Sequence, residues 1–270
     1  MKVDTTGPAY VIGYAAAISA LFTGAIMALH VATQPVVERN QRLLRQRALV
    51  RLFQLDQGLR GGPTDEQIGR IVREQISDDP GRRITDPRSG HELRLIEARR
   101  QDGGLIGYAF PIWGVGFWAR IDGLLAVDPT CSRALGVVFL KHSETPGLGG
   151  RISEQQWTGQ FGNLSVTPPA SGGQYIYIGG PAPTADDDPR AGRHVDAITG
   201  ATGTSKAVEE LINRRLAEFR RAAVEAGLIR AGPPDAAAGS HALIPARGEM
   251  GMLAPSASLQ VRARHPSRDR

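Results

Sequence analysis

The stretch from Ala9 to Ala32, AYVIGYAAAISALFTGAIMALHVA, holds no Asp, Glu, Lys or Arg, and it constrains this chain more than any other feature. As an α-helix rising ~1.5 Å per residue it reaches roughly 36 Å, enough to cross the hydrocarbon core of a bilayer. The run is too long for the apolar region of a signal peptide, and no convincing small-x-small cleavage site follows it. A retained anchor within residues 1–33 is therefore expected. Tyr10 and Tyr14 stand where interfacial aromatics sit, and Pro35 marks the far end. Gly13, Ala17, Gly24 and Ala28 offer small faces that suit either a partner helix or plain lipid contact.

Beyond the anchor, Val36, Val37, Leu43, Leu44, Leu49, Leu52 and Phe53 fall on a broad helical stripe. Arg39, Arg42, Arg45, Arg47 and Arg51 lie largely off it, which predicts a stalk helix within 34–60. These five arginines follow the span, whereas only Lys2 and the amino terminus precede it. Taken alone, the positive-inside rule puts the main domain in the cytoplasm. The formal net charge of +5 would permit nucleic-acid binding, but the arginines concentrate after the apolar run and in the last residues, without interleaved aromatics to stack bases. A solvated or lipid-facing basic surface is expected, and no nucleic-acid partner.

Gly58, Gly61, Gly62 and Pro63 break the helical pattern, and a folded domain is expected over 61–228. Asp65 to Ser77 suits a short helix. The runs ELRLIEA, LIGYAFPI, IDGLLAVD, ALGVVFLKH and YIYIGG have the length and the β-branched or aromatic content of strands. From Ser205 to Ala226, Val208, Leu211, Ile212, Leu216, Phe219 and Ala223 recur at helical spacing, so a long amphipathic helix closes the domain. The fold class expected is α+β. Residues 229–270, rich in Pro, Gly, Ala, Ser and Arg without periodicity, read as a disordered tail. The single cysteine, Cys131, rules out an internal disulfide or a CxxC pair and reads as incidental, so redox chemistry here needs an imported cofactor.

Three stretches carry the functional signal. In DAITGATGTSKAV, Asp196 to Val208, glycine spacing invites a dinucleotide-binding reading, but the third glycine falls on Lys206 and too little chain follows for a doubly wound sheet. Nor does the spacing match a phosphate-binding Walker loop. Thr199, Thr202, Thr204 and Ser205 instead crowd a helix start, where unpaired N–H groups favour an anion that is bound or esterified. Small Gly200 and Ala201 let the backbone approach, and Asp196 can fix the turn. Plain N-capping by Thr204 or Ser205 explains one hydroxyl but not the cluster. In KHSETPGLGGRI, Lys141 to Ile152, Pro146 and Gly147 suit a type II turn, and His142 to Thr145 supply polar groups fit for the edge of a heteroaromatic ring. In PIWGVGFWARIDGLLAVD, Trp113, Phe117 and Trp118 offer ring-packing surface, or equally core or membrane-interface packing. No acid/base dyad and no metal-ligand spacing appears among these motifs, so neither catalytic residues nor a metal site is expected.

Together, in this order, these stretches resemble the covalent FMN-binding subunits of two related membrane complexes. These are the C-type subunit of the sodium-translocating NADH:quinone reductase and the G-type subunit of the Rnf electron-transport complex. DAITGATGTS is similar to the family's flavinylation signature, Asp-x-x-Ser/Thr-Gly-Ala-Thr, with Thr199 where serine is commoner. The resemblance spans roughly residues 9–228, and PIWGVGFWARIDGLLAVD sides with the quinone-reductase branch. It implies a mixed α/β FMN-binding domain with an antiparallel-rich sheet, and FMN joined to Thr202 by a phosphoester that a separate flavin transferase installs. Asp196, Thr199, Gly200, Ala201, Thr204 and Ser205 would surround the linkage. The loop Glu144, Thr145, Gly147, Leu148 and Gly149 would lie beside the isoalloxazine. The implied role is an electron relay among the other members of a membrane oxidoreductase, single-pass in the cytoplasmic membrane with the flavin domain on the outer, periplasmic face, opposite to the local charge count. A flavin-free structural or assembly subunit of the same fold is the alternative.

Overall fold

The structure is a computed structural model that describes residues 7–56, 62–168, 173–184 and 188–229. The expected tail beyond Ile229 and the last residues of the expected stalk lie outside these. Helix α1 runs unbroken over Pro8–Leu52, with Gly7 as N-cap and Pro8 in the first helical position, where its missing N–H costs nothing. It is the one described helix long and apolar enough to cross a membrane. Anchor and stalk are thus a single helix. Pro35, expected at the far end of the span, lies inside that helix and deprives the Val31 carbonyl of its usual donor. Just before it, the Thr33 hydroxyl donates to the Leu29 carbonyl at 2.9 Å and to that of His30 at 3.2 Å.

The end of α1 is defined by backbone geometry. Leu55 N–H donates to Val50 O at 2.9 Å and Gln54 N–H to Arg51 O at 3.0 Å, the paired bonds of a Schellman closure, with Gln54 at φ 56° taking the left-handed position usually given to glycine. Helix α2, Asp65–Gln75, opens with a capping box. Gln67 N–H donates to the Thr64 hydroxyl at 3.3 Å, and Thr64 N–H to the Gln67 side chain at 2.8 Å.

A five-stranded antiparallel sheet follows, β1 Ile76–Thr85, β2 Glu92–Arg99, β3 Leu105–Val115, β4 Arg120–Val127 and β5 Ala134–Lys141, in sequential order. Strand β1 was not expected. Its sequence ISDDPGRRIT has few apolar residues, and Pro80-Gly81 falls where the register with β2 shifts between Ser77 and Arg82. An edge strand accommodates this, because one side of its ladder has no partner to lose. The expected strand at YIYIGG shrinks to β6, Tyr177–Ile178, which pairs in parallel with β7, His194–Val195. The short helix α3, Gln155–Thr158, flanked by 3-10 turns at Gly149–Ser153 and Gly159–Phe161, and the final helix α4, Thr202–Glu225, complete the described elements, three residues earlier than expected at the start of α4. The fold is α+β, as expected.

The sheet is covered on both faces, which is why β3 and β4 carry near-continuous apolar runs. On one face Leu95, Phe110, Ile112 and Leu125 pack on Val208, Ile212, Leu216 and Phe219 of α4. The Phe110 and Phe219 rings stack with centroids 4.1 Å apart. On the other face Leu49, Leu52 and Phe53 of α1 meet Ile96, Ala98, Ala109, Leu124 and Ala126. Arg45 of α1 clamps Asp78 of β1 through Nε at 3.1 Å and Nη2 at 3.0 Å, and Arg47 reaches Asp65 of α2 at 2.5 Å. The apolar helix is therefore packed into the domain.

Candidate functional site

The three stretches singled out in the sequence meet at the N-terminus of α4. Ala201 is the N-cap residue, without a side-chain hydrogen bond to cap the helix, and the first turn holds no acidic residue. That leaves the positive end of the dipole and its first N–H groups directed at whatever binds there. Gly200, at φ 78°, makes the turn into the helix in a conformation that a side chain would strain.

The four hydroxyls of the cluster separate into two kinds. Thr204 is 4% exposed and donates to Glu144 Oε2 at 2.7 Å. Ser205 is buried, and its hydroxyl accepts from Ile198 N–H at 3.1 Å. Neither caps the helix in the ordinary way, and both are spent holding the signature in place. Thr199 and Thr202 are exposed, with Thr202 the first residue of α4.

The start of the signature is anchored by residues that sequence reasoning missed. Trp157 Nε1 donates to Asp196 O at 2.8 Å, and Asp196 N–H donates to Gln160 Oε1 at 2.9 Å. A Trp in the four-residue helix α3 and a Gln in the 3-10 turn that follows it leave no local pattern by which to find them. What is fixed at Asp196 is its backbone; its side chain is exposed.

The second stretch forms the expected turn. Leu148 N–H donates to Thr145 O at 3.1 Å, and Gly147 has φ 75°, the requirement of the third position of a type II turn. Thr145, Gly147 and Leu148 face outward, whereas Glu144 and Gly149 are buried. Leu148 leans on the signature, its Cδ2 3.2 Å from where a Cβ on Gly200 would sit.

The third stretch divides. Phe117 and Trp118, at the tip between β3 and β4, are 60% and 68% exposed and form a T-shaped pair with centroids 5.3 Å apart. Phe117 packs on the helix start so closely that a Cβ on Gly203 would lie 2.5 Å from its ring. Trp118 Nε1 donates to Thr145 Oγ1 at 3.2 Å. Trp113 takes no part in this surface. Its ring lies under the buried Arg215 guanidinium, 3.5 Å from the centroid, and Arg215 Nε donates to its carbonyl at 2.9 Å.

These features fit FMN. A helix N-terminus with an exposed hydroxyl at its first position suits the phosphate end. Phe117, Trp118 and Leu148, with bare glycines at 200 and 203, leave apolar surface beside it for a planar ring.

The geometry and the comparisons agree on the class, an FMN-binding domain carried on an apolar helix. The FMN-binding domain family matches residues 116–217, the segment that contains all three converging stretches from Gly116 onward. The C-type subunit of the Na(+)-translocating NADH-quinone reductase of Yersinia pestis is 30% identical over 189 residues, covering 68% of this chain and 69% of that protein. The Chlamydia trachomatis protein of the same name is 35% identical over 139 residues, 48% of this chain and 44% of its own length. The match spans somewhat less than half of the chlamydial relatives, 46% for that of Chlamydia muridarum. A crystal structure of the corresponding protein from Parabacteroides distasonis superposes with a TM-score of 0.50 at 20% identity, over 68% of this chain and 94% of that one, a likeness of fold. The chain belongs to the family of C-type subunits of the Na(+)-translocating NADH-quinone reductase.

Proposed function

We propose that Thr202 carries FMN through a phosphoester, and that the chain relays electrons as a single-pass flavoprotein subunit of an NADH:quinone reductase-type membrane complex. The observation that carries this reading is the sorting of the hydroxyls. Of the signature's hydroxyl residues, the buried two are bonded inside the protein, and Thr202 is exposed at the first position of α4.

The linkage forms when the Thr202 oxygen takes the FMN phosphoryl group from a flavin dinucleotide held by a flavin transferase. The nucleoside monophosphate leaves with the bonding electron pair and the hydroxyl proton passes to solvent. The N–H groups at the start of α4 then stabilise the remaining phosphodiester charge. Bound FMN supplies reversible uptake and release of electrons. The chain's own residues hold it in place: Gly200 and Gly203 let Leu148 and Phe117 close on the start of α4, and those two side chains shield one side.

Other subunits supply and accept the electrons, and the bilayer holds α1. The outer-face placement of the domain is supported by the fate of the arginines. Arg45 and Arg47 are tied to Asp78 and Asp65 in the packed joint, so part of the charge that argues for a cytoplasmic domain belongs to the folded domain.

Co-expression with a flavin transferase, followed by denaturing electrophoresis under ultraviolet light, tests the linkage. A fluorescent wild-type band that disappears in Thr202→Ala and persists in Thr199→Ala is expected. A dark wild-type band leaves the flavin-free assembly subunit as the reading.

A further inference from the structure

Building on the reading of Thr202 as the attachment point, we propose that Glu144 is the positioning residue of the flavin site and that its charge lowers the reduction potential of the bound flavin. Its carboxylate is 4% exposed and joins the three stretches at one point. Oε1 accepts from the amides of Phe117 at 2.9 Å and Trp118 at 3.2 Å, and Oε2 accepts from the Thr204 hydroxyl at 2.7 Å. It thus fixes the aromatic tip, the loop that presents Leu148, and the first turn of α4, two residues from Thr202.

The surroundings are shaped to this carboxylate. A Cβ on Gly116 would lie 2.4 Å from Oε1, and one on Gly149 would lie 3.0 Å from Oε2 and 2.4 Å from the Thr204 hydroxyl oxygen. All three donors are neutral, and among the described residues no Lys, Arg or His forms an ion pair with Glu144. A buried carboxylate held only by neutral donors keeps most of its field, because no ionised side chain pairs with it and little water screens it, and the partial positive end of α4 offsets it only in part. Adding an electron to a neighbouring ring works against that field.

Glu144→Gln separates the charge from the scaffold. The glutamine oxygen still accepts from the two amides, and its NH2 donates to the Thr204 oxygen. In the flavinylated, membrane-anchored protein this variant is expected to retain covalent flavin and thermal stability, while its midpoint potential, read by spectroelectrochemistry, becomes more positive. Thr204→Val keeps the charge and removes one donor, and its potential is expected to become more negative.

Opposite shifts distinguish a charge effect from loosening, which moves both variants the same way. Shifts in the same direction, or an unchanged potential in Glu144→Gln, overturn the proposal while Thr202 stands. Should Glu144→Gln fail to fold, a positive shift in Thr204→Val overturns it equally. A wild type without covalent flavin sinks the Thr202 reading as well, so the two failures differ.

Discussion

Single residues sort into those that face the site and those that hold the fold, and composition does not tell them apart. Thr202 and Thr204 are the same residue type two positions apart, yet one is exposed and the other bonded to Glu144. The motif identified the group, but the periodicity of α4 starts too late to show which hydroxyls turn inward. Asp86 is a second case. It is fully buried and takes Arg221 of α4 in a two-pronged pair, with both contacts at 2.9 Å. Burial alone would raise its pKa. Hydrogen bonds from Arg221, Ser89 and the Arg88 amide outweigh that and hold the carboxyl well below the ordinary range. A depressed folded pKa means that the stabilisation is complete above the unfolded value, near 4, and is lost as pH falls through that value toward the lower folded one. Asp86→Asn is expected to cost about 3 kcal/mol at neutral pH, since it leaves a partly buried guanidinium without its counter-charge. Urea unfolding at pH 7 and pH 3 checks this, because the gap between wild type and variant should narrow at pH 3; an equal gap contradicts the assignment.

At the scale of elements, strands β2 to β5 and the closing helix were legible in the sequence. Strands β2 to β5 pack on both faces, so their apolar and β-branched content is high. Strand β1 was not legible, since an edge strand with a bulge at Pro80-Gly81 needs neither alternation nor apolar content. The convergence of the β3–β4 tip, the loop after β5 and the start of α4 was anticipated only through family resemblance, because spacing along a chain does not encode such long-range contacts. The glycines at this junction test the packing. Gly149→Ala drives a methyl to within 2.4 Å of the Thr204 oxygen and is expected to cost about 1–3 kcal/mol, as overpacking does. Gly159→Ala meets nothing within 4 Å and serves as the control. Thermal unfolding that ranks the two equally would show that the junction yields freely.

For the whole molecule, the 45 residues of α1 form a rod of roughly 67 Å, apolar along the membrane-spanning part and packed into the domain at its far end. The span was evident from composition. The joint was not, because it depends on the sheet face that receives Leu49, Leu52 and Phe53 and on the partners Asp65 and Asp78, which show their role only once the chain folds. Orientation follows as a prediction. Burial, with Asp128 adding to it, pushes the Cys131 thiol up to about 12, so the native protein should resist thiol reagents. Gln155→Cys places a thiol on an exposed position of α3. Intact cells treated with a membrane-impermeant maleimide should label this variant and not the wild type, whereas labelling only after lysis puts the domain in the cytoplasm. The proposed attachment is to one oxygen atom, and trypsin isolates it on the peptide from His194 to Lys206. Mass spectrometry of this peptide from the mature protein should show an added FMN less one water, and fragmentation should place it on Thr202. An unmodified peptide, or flavin on Thr199, Thr204 or Ser205, would contradict attachment at Thr202.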